Sequence, residues 1–239
     1  MRHRAAVFVI DKDKVLLFYR LKNGQEYYAV PGGGVEPDET PKQAAVRELK
    51  EETNLDITLG EKIGEFEEDG NHQYFYIAKS WSGTLKFGGE ELERQSPTNV
   101  YRLEWVPIET LNDIDLRDEA RKTLLRYLSP TSHFLDSAVT ITIDRPFGSK
   151  HPKWDLVYPV NYGYIPNTKS GDGEEIDAYV LGINEPLKEF TGKCIAVIHR
   201  LNDDDDKLVI VPDSTNLADA EIRMATDFQE KFFKSVIVQ

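Results

Sequence analysis

The sequence predicts two domains in tandem: an α/β domain over residues 1–130, then a smaller, mainly-β domain over residues 135–239 that closes with a helix. Three observations carry this. Before Pro130, short stretches of β-formers are interleaved with two helical patterns, as in a mixed sheet covered on both faces. At Ser129-Pro130-Thr131-Ser132-His133 the second helical pattern ends and the chain turns small and polar, which marks a boundary. Beyond it the β-branched alternation resumes, and one further helical pattern follows near the end. At 239 residues the chain has room for two cores of ordinary size.

Residues 5–10 and 15–19 alternate around Lys12-Asp13 and read as a hairpin. Residues 25–30 read as a third strand, which delivers three glycines after Pro31. Thr40 followed by Pro41 is an N-cap with proline at the first helical position. Ala44, Ala45, Val46 and Leu49 give that helix its apolar stripe. Strands are expected at residues 57–59, 63–66, 73–78 and 101–106, with a long loop over 87–93. A second helix spans 116–128 on the stripe Ala120, Leu124, Leu125 and Leu128. In the second domain, strands are expected at 138–143, 178–181, 195–199 and 208–211, and the closing helix at 217–233.

Composition narrows the function classes. No apolar run approaches the roughly 20 residues of a membrane helix, and Met1-Arg2-His3-Arg4 leads into a strand without a signal-peptide pattern. Cys194, the only cysteine, lies in the apolar run Cys194-Ile195-Ala196-Val197-Ile198 and is expected to be a buried strand residue. With no disulfide framework and no export signal, a cytoplasmic location is expected. A net charge of −13 argues against a duplex nucleic-acid partner and suits sites that hold cations, although acidic surfaces also serve solubility. Nothing fixes an oligomeric state.

The chemistry concentrates in Gly32-Gly33-Gly34 and the acidic helix behind it. Glycines let the backbone approach a ligand closely. Glu48, Glu51 and Glu52 stand at i, i+3 and i+4, so three like charges share one helical face. Either that face is solvated or it holds a hard divalent cation. Arg47 points to a neighbouring face, from which it can reach back to Glu39. Gly33, Glu39, Arg47-Glu48, Glu51-Glu52 and Leu55 stand in a fixed spacing that resembles the Nudix box. Asn54 occupies the usual glycine position, and asparagine is the next most tolerant residue of the left-handed helix end.

That resemblance implies an α/β/α sandwich and a hydrolase of nucleoside diphosphate derivatives or triphosphates, using Mg²⁺ with Mn²⁺ as an alternative. Glu48, Glu51 and Glu52 would be its metal ligands and, with Arg47, its catalytic set. Gly32, Gly33 and Gly34 would bind substrate, and Glu39 would be structural. Glu51, Glu93 and Glu104 are candidates for the base. Phe66, Tyr74 and Phe87 are candidates for stacking a base, against simple packing.

A second constellation follows the boundary. Tyr158-Pro159-Val160-Asn161-Tyr162-Gly163-Tyr164-Ile165-Pro166 precedes Asp172, Glu174 and Asp177, and Asp203-Asp204-Asp205-Asp206-Lys207 comes later. Turn chemistry and a solvated loop account for either acidic cluster alone. Together with the tyrosines they resemble a shortened soluble inorganic pyrophosphatase built on a small β-barrel. The resemblance assigns metal roles to Asp172, Glu174, Asp177 and Asp205, and phosphate contacts to Tyr162, Lys207 and Lys234. Glu174 stands where aspartate is usual, Phe233 where tyrosine is usual. The stretch from Asp144 to Tyr158 is too short for the customary ligand-bearing hairpin, leaving Arg145, Lys150 and Lys153 as its cations. This domain is therefore expected either to cleave pyrophosphate released by the first or to bind phosphate or metal without turnover.

Overall fold

The computed structural model describes residues 2–68, 70–93, 95–151 and 156–239, so Lys153 lies outside the described residues. The chain forms two compact units, Met1–Leu124 and Leu125–Gln239.

The first unit runs β1 (Arg2–Phe8), β2 (Ile10–Asp11), β3 (Lys14–Lys22), β4 (Gln25–Ala29), β5 (Gly32–Gly34), α1 (Pro41–Thr53), β6 (Asp56–Glu68), β7 (Asn71–Ser82), α2 (Glu90–Glu93) and β8 (Asn99–Pro107). Helix α3 (Asp118–Leu128) follows. One sheet has the order β5-β1-β7-β6, with β1 and β7 parallel. In the other, β3 pairs with β2, β4 and β8. The expected hairpin over 5–19 shrinks to two residue pairs, Ile10↔Val15 and Asp11↔Lys14, around Lys12 at φ 56°. The reason is burial: Ala5 to Val9 are all covered, so β1 is a central strand that takes β5 and β7 as neighbours. The chain then changes sheet.

Helix α1 begins as its sequence dictates. Thr40 caps the Gln43 amide, the Gln43 side chain caps Thr40 in return, and Pro41 opens the first turn. Ala44, Ala45 and Leu49 pack with Ala5, Val7, Val9, Leu16, Leu55 and Tyr76. Val46, expected in that stripe, is exposed. Asn54 ends the helix at φ 61° and fixes itself by donating to the Thr84 carbonyl at 3.0 Å. The strands expected at 57–59 and 63–66 are one strand, β6, with register shifts between Thr58 and Gly64. A Cβ at Gly64 would lie 2.6 Å from the Thr123 methyl, so glycine lets α3 sit against the sheet.

The second unit contains β9 (Ala138–Arg145), β10 (Asn161–Tyr164), β11 (Asp177–Val180), β12 (Glu189–Arg200), β13 (Lys207–Val211), α4 (Asp219–Glu230) and β14 (Ser235–Val238). The order β13-β11-β10-β9-β12 closes into a five-stranded barrel because β12 also pairs with β13. β14, absent from the sequence reading, extends the sheet from β12. Its only signal is the run Val236-Ile237-Val238, too short to distinguish from a helix end. Tyr158, Tyr162, Tyr179 and Ile222 belong to the core, with Phe228 of α4 packed on it. Cys194 is fully buried, and burial pushes its thiol up to about 12.

Two polar devices hold this unit. Buried Asn161 accepts from the Phe147 and Leu187 amides and donates to the Ile183 and Glu185 carbonyls. Buried Asp206 accepts from Ser129 (2.9 Å) and Thr131 (2.8 Å) and pairs with His199 (2.8 Å). Burial raises the Asp206 carboxyl, but His199 and the two hydroxyls outweigh it and hold it below its ordinary value. The polar stretch after α3 is thereby anchored within the second unit. None of the described helices is long and apolar enough to cross a membrane.

Removing that acceptor leaves buried hydroxyls unpaired, so Asp206→Ala should destabilise the second unit by about 3 kcal/mol in denaturant unfolding. Gly163→Ala should prevent the unit from folding. Its Cβ would stand 2.0 Å from the Thr142 carbonyl oxygen and 2.8 Å from the Ile143 Cα, both backbone atoms of β9. A cooperative wild-type melt in the G163A protein would show that β9 can yield.

Candidate functional site

In the first unit the glycine strand and the acidic helix are bonded together. The Gly32 amide donates to Glu52 Oε2 at 2.7 Å, and Glu52 is 6% exposed. A Cβ at Gly33 would fall 2.2 Å from the Glu48 carboxyl carbon, so the missing side chain is what lets Glu48 lie against the loop. Gly32 has φ 144° and would meet the Ala5 carbonyl at 2.2 Å, which excludes any larger residue there. At Gly34 a Cβ would make ordinary contact with the Arg2 guanidinium, at 3.8 Å.

Arg47 sits at the hub. It donates to Glu39 through two nitrogens (2.9 and 2.8 Å) and to the Gly34 carbonyl (3.0 Å), and pairs with Glu48 (3.0 Å) and Glu51 (3.3 Å). The bidentate bond holds the Glu39 carboxyl below its ordinary range and raises Arg47. Glu39 in turn accepts from the Glu36 amide at 3.2 Å, so the loop is stapled to α1. The loop before α2 crosses the end of that helix, with the Gly88 amide donating to the Glu52 carbonyl at 3.0 Å. Glu104 on β8 accepts from Tyr28 and Arg102, and Glu93 is exposed on α2.

A cavity of about 710 Å³ opens beside this loop, walled by Arg4, Arg20, Tyr28, Val30, Gln73 and Phe75 among others. Arg4 donates to the carbonyls of Val30 (2.7 Å) and Gly32 (2.9 Å). Burial pulls its guanidinium below the ordinary value, and Glu52 opposes that. Sequence reasoning missed Arg4 and Gln73. Their one signal is a polar residue at an inward position of an alternating strand: Gln73 is in phase with buried Phe75. The proposed stacking residues pack on other rings: Phe66 stacks on Phe75, Tyr74 stacks on His3 and tilts against His72, and Phe87 meets Phe18 edge-on and stacks on Tyr101.

In the second unit the structure gathers Tyr162, Asp177, Asp205 and Lys207. Tyr162 donates to Asp177 at 2.5 Å, and the buried Lys207 ammonium bridges Asp177 (2.7 Å) and Asp205. Burial and Asp177 raise the Tyr162 hydroxyl well above its ordinary value. Burial also raises Asp205, against the pull of Lys207. Arg200, fully enclosed, forks onto Glu230 (3.0 and 2.7 Å), lies 3.5 Å from Asp205 and 3.6 Å above the Phe233 ring. Asp172 and Glu174 are exposed, with the Glu174 amide donating to Asp172. Lys234 is exposed beside Asn202, and Arg145 is paired with Asp144. The two acidic loops touch through backbone, since a Cβ on Gly171 would strike the Asp204 carbonyl.

Residues 1–127 match the family model of the NUDIX domain. The chain belongs to the NUDIX family. In this NUDIX protein, residues 140–237 then match inorganic pyrophosphatase. Both are families of phosphoanhydride hydrolases, typically magnesium-dependent. Bovine diphosphoinositol polyphosphate phosphohydrolase 3-beta is 37% identical over 90 residues, 34% of this chain and 55% of that protein. Human diphosphoinositol polyphosphate phosphohydrolase 2 is 38% identical over 86 residues, 33% of this chain and 47% of that protein. The chain spans about half the length of these curated relatives. The solution structure of the E. coli ORF135 protein is 28% identical, covering 55% of this chain and 94% of that one at a TM-score of 0.42.

The donor set on α1, carboxylate oxygens alone, has the chemistry Mg²⁺ selects. Among the described residues no three acidic, histidine or cysteine side chains already converge into a metal cage. Glu51 is turned to Arg47 and exposed. Gly33→Ala should therefore leave folding nearly intact, because the flexible Glu48 can swing away, yet lower turnover at least about 10-fold. Unchanged kcat at unchanged melting temperature would detach the Glu48 position from catalysis.

Proposed function

We propose that the first unit is a Mg²⁺-dependent hydrolase that cleaves a phosphoanhydride bond of a nucleoside triphosphate or nucleoside diphosphate derivative. One observation carries this: Glu48, Glu51 and Glu52 stand on one face of α1, against a strand of three glycines, with Arg47 paired to Glu48 and Glu51 and the Gly32 amide bonded to Glu52. Glu48, Glu51 and Glu52 hold the metal, and the adjoining strand of Gly32, Gly33 and Gly34 positions the diphosphate. When bound, Mg²⁺ neutralises phosphoryl oxygens and acidifies water at the site. Arg47 and Glu39 keep the loop and helix in register, which fixes the phosphate relative to the incoming water. Of the candidate acceptors for the water's proton, Glu51 and Glu93 are exposed, whereas Glu104 is committed to Tyr28 and Arg102.

In the second unit the reading is that pyrophosphate released by the first is hydrolysed. Asp172, Glu174, Asp177 and Asp205 hold the metal, and Tyr162, Lys207 and Lys234 contact phosphate. Cleaving that product makes the first step effectively irreversible. One observation favours a different role. Lys207 already fills the space between Asp177 and Asp205 while Asp172 and Glu174 stand apart in solvent, which suits a module that binds phosphate without turnover. The relatives are named for diphosphoinositol polyphosphate, a substrate class to test alongside nucleotides.

Glu52→Gln should reduce nucleotide turnover by at least about 1,000-fold while keeping the fold, since glutamine can still accept from the Gly32 amide. Near-wild-type turnover in E52Q would end the assignment. The intact chain, given a triphosphate and Mg²⁺, should release orthophosphate, and the Asp205→Asn protein should accumulate pyrophosphate instead. Pyrophosphate that raises the melting temperature of the intact chain yet persists unhydrolysed would establish the binding module.

A further inference from the structure

The cavity beside the glycine loop contains a polar group that the fold leaves unserved. Gln73 is 7% exposed and lines the cavity, and no described residue hydrogen-bonds its side-chain amide. Buried polar groups are normally paired, so an unpaired amide at such a wall marks a place where a ligand completes the bonding. Arg20 adds to this: its Nε is buried without a partner, although its Nη2 donates to Tyr101 at 2.6 Å. Gln73 also pairs in register with Arg4, which bonds the Gly32 carbonyl, and the Gly32 amide holds Glu52. The amide is thus one strand away from the hydrolytic loop.

The remaining walls decide what fits. Val30, Phe75, Leu116 and Ala120 are apolar and at most 3% exposed. Arg4 spends donors on backbone carbonyls, and Arg20 lies over the rings of Tyr27 and Tyr101. The charged residues at the exposed rim are one arginine, Arg117, and two carboxylates, Glu26 and Asp115. A polyanion would meet those carboxylates and find few free donors. A flat, neutral ring with its own donors and acceptors would meet apolar walls and one amide that offers both functions.

We propose that this cavity receives the non-phosphate part of the substrate as a heterocycle of the nucleobase type, and that Gln73 reads its hydrogen-bonding edge. This rests on the hydrolase function proposed above. The test uses the full-length protein with Mg²⁺ and compares kcat/KM for ATP, GTP, CTP, UTP and a diphosphoinositol polyphosphate. Wild type is expected to discriminate among the bases. Gln73→Leu should erase about 10- to 100-fold of that discrimination, and Gln73→Glu, which loses the donor, should reorder it. Base ratios unchanged in a folded Gln73→Leu or Gln73→Glu protein, with nucleotide turnover intact, overturn the role of Gln73 and leave the hydrolase standing. Turnover of the diphosphoinositol polyphosphate alone overturns both. Calorimetry on metal-free protein gives a second readout: a nucleoside monophosphate should bind wild type and bind Gln73→Leu at least about 10-fold more weakly. Equal affinities would also overturn the proposal.

Discussion

The hydrogen bond from the Gly32 amide to buried Glu52 is the constraint on which the first unit's site depends. A carboxylate this enclosed needs donors, and the strand amide supplies one at 2.7 Å. Because the donor is backbone, the bond also fixes where β5 runs relative to α1. That closeness leaves no room for a Cβ at Gly32, where the neighbours are backbone, and at Gly33 a Cβ would displace the Glu48 carboxylate, so the glycines follow from packing as much as from ligand access. Arg47 then clamps the outside of the same junction through Glu39 and the Gly34 carbonyl.

The box was legible because local chemistry fixes most of it. Thr40-Pro41, the i, i+3, i+4 acids and Asn54 at a left-handed helix end are determined by neighbours in sequence. What escaped depends on distant strands. Residues 5–19 look like a hairpin, yet β1 is covered on both faces and must lie inside a sheet. Arg4 and Gln73 are unremarkable letters until parallel pairing of β1 and β7 sets them side by side. Of the strands, β14 is too short to carry a periodic signal of its own, and only its pairing with β12 reveals it.

The second unit shows the same limit from the other side. Proximity in sequence placed Asp172, Glu174 and Asp177 together, but alternation and turn geometry divide them. Asp177 faces Lys207 and Tyr162, while the two before it stay in solvent on a turn. Asp206, one residue beyond a proposed ligand, turns the opposite way and bonds Ser129, Thr131 and His199. A run of four aspartates is therefore not one feature. Asp205 and Asp206, just ahead of β13, turn to opposite sides, one at the candidate site and one in the framework.

Both units meet a common electrostatic problem with a built-in cation. Carboxylates gathered for a divalent ion repel one another when the ion is away. In the first unit Arg47 answers this from the side, partly exposed and hydrogen-bonded to the loop, and pairs with both Glu48 and Glu51. In the second unit the answer is internal: Lys207 is 1% exposed and lies between Asp177 and Asp205, with Arg200 behind Asp205. A guanidinium anchored to a neighbouring carboxylate can steady ligands without occupying their centre, whereas a buried ammonium competes for it. The first arrangement stays open to an arriving cation. In the second the centre between the carboxylates is already taken by Lys207.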